Sequence, residues 1–210
     1  MLALIPSPEK RIVFLGDSIT EFGQNPNGYI DLLNTQIARK GLGREFVLMG
    51  AGVSGNKVYD LFLRLESDVR SKKPTDVVIL IGINDVWHRN TRGTGTDPEK
   101  FVAFYKAIIQ QLKADGIQVH LCTPTLIGEL KNQANPLDHE LEETAAQIRK
   151  LAQQFDCTLI DLRQAFQQYL TVNNTRNQSS GILTTDQVHL NDRGNQLLAQ
   201  QIQNVLFANR

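Results

Sequence analysis

Arg11-Ile12-Val13-Phe14-Leu15-Gly16-Asp17-Ser18-Ile19-Thr20 decides how the rest of the chain is read. Ile12 to Leu15 stand together with no polar residue between them. A run that short, with β-branched and aromatic side chains, predicts a strand buried on both faces, as in a parallel sheet. Gly16 ends it and permits a tight bend. Asp17 and Ser18 follow at once, so the strand finishes by presenting a hydroxyl. Ser18 is therefore the candidate nucleophile.

The same pattern recurs outward from this stretch. Apolar runs predict strands at 11–15, 45–49, 76–81, 117–122 and 157–161. Between them, apolar stripes at helical spacing predict helices at 28–40, 98–115, 137–155 and 162–170, with a last one at 192–207. A further helix is expected to run from an Asn56 cap to about residue 71. Residues 88–96 and 171–182 are expected as polar loops, and 123–136 as a long connection. No internal repeat or low-complexity tract occurs, so residues 1–210 are expected to form one domain. Alternating strands and helices imply an α/β three-layer sandwich. The expected sheet is parallel, five-stranded and flavodoxin-like, in the order 2-1-3-4-5, with helices on both faces. Ligands of such sheets bind beyond the C-terminal strand ends, beside strand 1. Ser18 lies there, and Gly52 and Asn84 follow the two neighbouring strands.

Bulk properties exclude several classes of function. The 22 basic and 22 acidic residues cancel, leaving no basic stripe for nucleic acid and no polybasic membrane patch. No apolar run approaches the ~20 residues of a membrane span. Met1 to Ile5 is apolar, but Pro6, Pro8, Glu9 and Lys10 interrupt it, short of the roughly 7–15 apolar residues of a secretory signal. Cys122 and Cys157 fall at opposite strand ends, about 15 Å apart at ~3.3 Å per residue. A disulfide needs Cα atoms within about 7 Å, so two buried free thiols are expected. That suits a reducing compartment and a cytoplasmic location. No Cys/His cluster has zinc-ligand spacing, so no metal is expected.

Near the C-terminus stands Thr184-Thr185-Asp186-Gln187-Val188-His189-Leu190-Asn191. Asp186 and His189 are three apart, in a turn before a helix that Asn191 or Asp192 caps. Such a carboxylate reaches the imidazole Nδ1 and leaves Nε2 as a base toward a hydroxyl. Ester hydrolysis needs a nucleophile, an oriented base and donors for the developing oxyanion. Ser18, His189 and Asp186 supply the first two. The N–H groups of Ser18 and Gly52, with the Asn84 amide, supply the third, and Gly52 has no side chain to block approach. Trp87, Ile127 and Val188 are candidate pocket residues. His88 either joins them or faces solvent. Asp17 and Asp85 are expected to anchor turns, His120 to be structural and His139 to be solvated.

Four blocks now stand in order: Gly16-Asp17-Ser18, then Gly52-Val53-Ser54-Gly55, then Gly82-Ile83-Asn84-Asp85, then Asp186-Gln187-Val188-His189. In this the chain resembles the SGNH hydrolases, also called GDSL esterases and lipases. Gly-Ile-Asn-Asp-Val-Trp-His and Val-His-Leu-Asn look like bacterial members. One departure is Gly50, where many relatives carry Asn. The resemblance implies a Ser-His-Asp hydrolase on a flavodoxin-like fold, with a small-molecule ester as substrate and no cofactor. It does not fix the substrate, since the family covers lipids, thioesters, acetylated sugars and small esters. Without an apolar lid, and with polar loops near the site, short acyl groups on soluble alcohols such as acetylated carbohydrates are favoured. A lysophospholipase or thioesterase acting on longer chains is the alternative. A more distant rival is Gly50-Ala51-Gly52-Val53-Ser54-Gly55, a G-x-G-x-x-G match that would suggest a dinucleotide. It sits on the second strand, and no acid ends the next strand as that fingerprint requires. A non-catalytic protein that kept the fold is the third class. No residue pattern reports the oligomeric state.

Overall fold

The computed structural model describes residues 10–207; the segment read above for a secretory signal lies mostly outside them, at 1–9. The opening stretch forms β1 (Lys10–Gly16), and Ile12, Val13, Phe14 and Leu15 are all fully buried. Alternation along the strand divides these side chains between two apolar layers. Ile12 and Phe14 join Tyr29, Leu33, Phe166 and Ile202. Val13 and Leu15 join Leu61, Tyr105, Ile108 and Leu151 on the other side of the sheet. A continuous apolar run is therefore required, because neither face of this strand meets water.

Around β1 stand β2 (Phe46–Gly52), β3 (Asp76–Leu80), β4 (Gln118–Cys122) and β5 (Thr158–Ile160), all parallel, in the order β2-β1-β3-β4-β5. Gly16 is in register with Gly52 on one side and Leu80 on the other. The chain therefore leaves three adjacent strands at one level, and the candidate residues begin at that level. Short α1 (Ser18–Phe22) follows β1, and α2 (Tyr29–Arg39) leads to β2. After β2 come α3 (Val58–Leu63) and α4 (Leu65–Asp68); after β3 come α5 (Ile83–Arg92) and α6 (Pro98–Ala114). Then α7 (Asp138–Gln154), α8 (Leu162–Asn173) and α9 (Asp192–Leu206) complete the layers. Among the described residues no helix is long and apolar enough to cross a membrane. Cys122 and Cys157 are free thiols, but only Cys122 is buried; Cys157, just ahead of β5, is partly exposed.

Three local expectations are corrected. The stretch 88–96 is not all loop, because α5 continues to Arg92. Asn90 and Thr91 are poor helix formers, yet Asn90 Nδ2 donates to the Val86 carbonyl at 3.0 Å and Thr91 Oγ1 to the Trp87 carbonyl at 2.8 Å. Arg89 and Asn90 also reach Glu140 on α7, so tertiary contacts outweigh propensity. The expected helix from 56 to 71 is broken into α3, α4 and a helical turn at Arg70–Lys72. Arg64 stands at the first break with φ −103° and ψ 10°. Finally, Asn56 does not cap α3. Its Oδ1 accepts from Arg64 Nε at 2.7 Å, while Asp60 receives the Lys57 N–H at 2.8 Å.

Candidate active site

Ser18 is the first residue of α1, directly beyond β1. Asp17 caps that turn, its Oδ1 accepting the Ile19 N–H at 3.0 Å. Asp17 is 2% exposed, and burial pushes its carboxyl up to about 7 against the pull of the Ile19 N–H; the nearby charge of Asp85 adds to the rise. Asp85 is likewise buried, which pushes it up to about 6, and its Oδ1 accepts the Val58 N–H at the start of α3. Both acids hold backbone in place.

The last turn before α9 brings the candidate base, His189. Ser18 Oγ lies 2.9 Å from His189 Nε2, and His189 Nδ1 lies 2.7 Å from Asp186 Oδ2. Asp186 Oδ1 accepts the N–H groups of Val188 at 3.1 Å and His189 at 2.8 Å, so one carboxylate organises its own turn and orients the ring. Burial raises the Asp186 carboxyl, but these hydrogen bonds outweigh it and hold the group below the usual carboxylate range. Asn191 caps α9 through its Oδ1, which accepts the Gly194 N–H at 3.0 Å. Phe22 leans on the imidazole with ring centroids 5.4 Å apart.

Gly52 ends β2, and Asn84 stands in the first turn of α5, 4% exposed. Asn84 Nδ2 donates one hydrogen to the Asn56 carbonyl at 3.1 Å, which leaves its second for another acceptor. Gly52 has a packing reason beyond an open N–H. A Cβ there would come within 2.0 Å of the Glu21 backbone nitrogen, so α1 packs on β2 only across a glycine.

Arg64, not singled out by any motif, draws these strand ends together. Its guanidinium donates to the carbonyls of Gly16 at 2.7 Å and Ala51 at 3.0 Å, two residues before Ser18 and one before Gly52. The only sequence signal for it is a charged residue amid the apolar stripe of a helix.

The expected pocket residues divide. Ile127 and Val188 lie in the apolar core, and Trp87 packs against that core while partly exposed. His88 does not face solvent: it is buried, which holds its imidazole below the ordinary value, with the charges of Arg92 and Lys57 acting in the same direction. A cavity of about 400 Å³ is lined by Asp85, Arg89, Phe101, Glu140 and others, but by neither Ser18 nor His189. The G-x-G-x-x-G string does not form a phosphate cradle. Gly50 and Gly52 lie inside β2, α3 starts only at Val58, and Ser54 is tied to Glu21 through its N–H and hydroxyl. Among the described residues no group of three or more His, Cys, Asp or Glu is placed to hold a metal ion.

Comparison with known proteins follows the same lines. The model of the GDSL-like lipase/acylhydrolase family matches residues 14–197. A curated acetylxylan esterase from Geobacillus stearothermophilus is 27% identical over 91% of this chain and 91% of its own length. Among solved structures, an acetyl xylan esterase, AlAXEase, superposes with a TM-score of 0.92 at 47% identity, covering 93% of this chain and 99% of that one. LAE5, an α/β hydrolase enzyme from the metagenome of Lake Arreo, Spain, gives 0.83 at 26% identity over 96% of both chains. With most of its length matched by the family model, and with close relatives that are esterases, this chain belongs to the GDSL-like lipase/acylhydrolase family and is a carboxylic ester hydrolase.

Proposed function

We propose that this ester hydrolase removes acetyl groups from carbohydrates, with Ser18 as nucleophile, His189 as general base and acid, and Asp186 as the carboxylate that orients the imidazole. One observation carries the assignment of roles: the unbroken relay from Ser18 Oγ through His189 to Asp186, with steps of 2.9 and 2.7 Å. Ser18 Oγ attacks the ester carbonyl carbon as His189 Nε2 takes its proton. The carbonyl electron pair moves onto oxygen, where the N–H groups of Ser18 and Gly52 and the Asn84 amide receive the charge. The intermediate collapses, and the leaving sugar oxygen takes the proton from His189. Water then attacks acetyl-Ser18 by the same route, releasing acetate and restoring the hydroxyl. Asp186 keeps Nδ1 protonated, so that Nε2 is the basic nitrogen throughout.

The acetyl preference has two supports. The 47% identical structure is an acetyl xylan esterase. Of the three residues expected to line the pocket, Ile127 and Val188 lie in the core and Trp87 alone is partly exposed, which leaves a small apolar lining. The longer-chain alternative finds no support in the packing. The test is a series of p-nitrophenyl esters from acetate to palmitate beside acetylated xylooligosaccharides. Highest kcat/KM is expected at acetate, with acetate released from the sugar; a maximum at long chains would overturn the substrate. Fluorophosphonate is expected to label the peptide that holds Ser18, and an adduct on Ser54 instead would overturn the nucleophile.

A further inference from the structure

The connection between β4 and α7 contains a carboxylate for which the reaction has no use. Glu129 is fully buried, a rare state for glutamate unless its oxygens are satisfied. Oε1 accepts from the Leu183 N–H at 2.7 Å, the Thr184 N–H at 2.6 Å and Thr184 Oγ1 at 2.7 Å, and Oε2 accepts from the Ile182 N–H at 2.8 Å. Every partner is a donor, and all lie on three consecutive residues. Those residues immediately precede the turn that carries Asp186 and His189.

The grip reaches the far side of that turn. Thr184 pairs with Leu190 in an antiparallel bridge, and the Thr185 N–H donates to the His189 carbonyl at 2.8 Å. Gly128 holds the tip as well, its N–H donating to the Gln187 carbonyl at 2.8 Å. Glu129 is itself pinned: its N–H donates to the Ser179 carbonyl at 3.0 Å, and its carbonyl accepts Asn174 Nδ2 at 2.8 Å. By contrast, the Asp186 side chain is 52% exposed and has little packing of its own, while that of His189, 26% exposed, has Phe22 against its ring. Both are carried by the turn whose stem Glu129 holds.

We propose that Glu129 is a positioning residue for catalysis. Its buried carboxylate locks residues 182–184, and through that stem sets how His189 approaches Ser18. The inference rests on the Ser18–His189–Asp186 assignment. A misplacement of about 1 Å in such a relay costs on the order of 10²-fold in rate, so the lock has a kinetic consequence.

Glu129→Gln in the full chain tests it, because glutamine keeps the shape but turns an NH2 toward backbone N–H donors. With active sites titrated by fluorophosphonate, kcat on p-nitrophenyl acetate is expected to fall about 10- to 100-fold with KM nearly constant. The acid limb of the kcat/KM pH profile is expected to move to lower pH, since a loosened Asp186 stabilises the imidazolium less; a purely structural role would not move it. Thr184→Val, which removes one donor of four, is expected to shift both quantities the same way by less, and it carries the test if Glu129→Gln does not fold. Wild-type kcat per titrated site and an unmoved acid limb, in both variants or in Thr184→Val alone where only that one folds, would overturn the inference. Ser18→Ala separates the two levels. If it stays active, the triad fails; if it is inactive while the Glu129 and Thr184 variants behave as wild type, only the positioning role fails.

Discussion

His189 meets Asp186 at 2.7 Å, and His120 meets Asp76 at 2.9 Å. The two pairs share chemistry but not surroundings. Asp76 opens β3 and His120 lies in β4, on the strands themselves rather than beyond their C-terminal ends. Asp76 is 1% exposed and also accepts from Lys10 Nζ at 2.9 Å and Thr75 Oγ1 at 2.7 Å. Burial raises its carboxyl, but the bonds from His120, Thr75 and Lys10 win and bring it down to about 2. His120 Nδ1 finds no hydrogen-bond partner among the described residues. His189 is the reverse: its carboxylate is half exposed, and its second nitrogen faces the Ser18 hydroxyl. A histidine–carboxylate pair is therefore a common structural device. What sets the proposed catalytic pair apart is the Ser18 hydroxyl on the other ring nitrogen, and its exposure to solvent.

Replacing each histidine in turn is the most direct way to break this contrast. His189→Ala is expected to lower kcat by about 10⁴–10⁶-fold while the protein stays folded. His120→Ala is expected to leave kcat near wild type and to cost about 1–3 kcal/mol of stability, measured by urea denaturation, because Asp76 loses a buried partner. A folded His120→Ala enzyme with strongly reduced kcat would erase the distinction. Asn84→Ala sharpens it from the side of the oxyanion. A loss of about 10²–10³ in kcat is expected, and an unchanged kcat would remove that amide from the mechanism.

The smallest effect is on stability and concerns the acid beside Ser18. Asp17 titrates near 7 in the folded protein against 3.8 in the unfolded chain, so between these values the native state binds the extra proton. Its contribution to stability is present at low pH and is lost as pH rises through that window. Asp76 has the opposite sign, stabilising above 3.8 and failing only toward pH 2. Asp17→Asn keeps an oxygen for the Ile19 N–H and removes the ionisation. The melting temperature of the variant relative to wild type is therefore expected to rise between pH 5 and pH 8. An equal difference at both values would show that Asp17 does not titrate in this range.

Parts of this arrangement are legible in the amino-acid sequence. Residues 12–15 and 77–81 are apolar without interruption because both faces of their strands are covered, and that alone indicates a parallel sheet. The three-residue step from Asp186 to His189 is local, so its hydrogen bond follows from the geometry of one turn. The continuation of α5 through Asn90 and Thr91 is not legible, because Glu140, some 50 residues away, helps to hold it. Arg64 is equally hidden: its role is defined by carbonyls of β1 and β2, which only the fold places beside it.

By itself the sequence determined the alternation of strands and helices, the strand-end position of Ser18 and the pairing within the Asp186–His189 turn. Each depends on neighbours within a few residues, or on a periodicity that sets which face is apolar. Only the tertiary structure decided that His189 Nε2 reaches Ser18, that Gly52 is a packing requirement of α1, that Val188 belongs to the core, and that Glu129 meets the backbone of residues 182–184. The reason is physical. A buried polar group must find its partners wherever the chain brings them, and those of Glu129 lie more than 50 residues away.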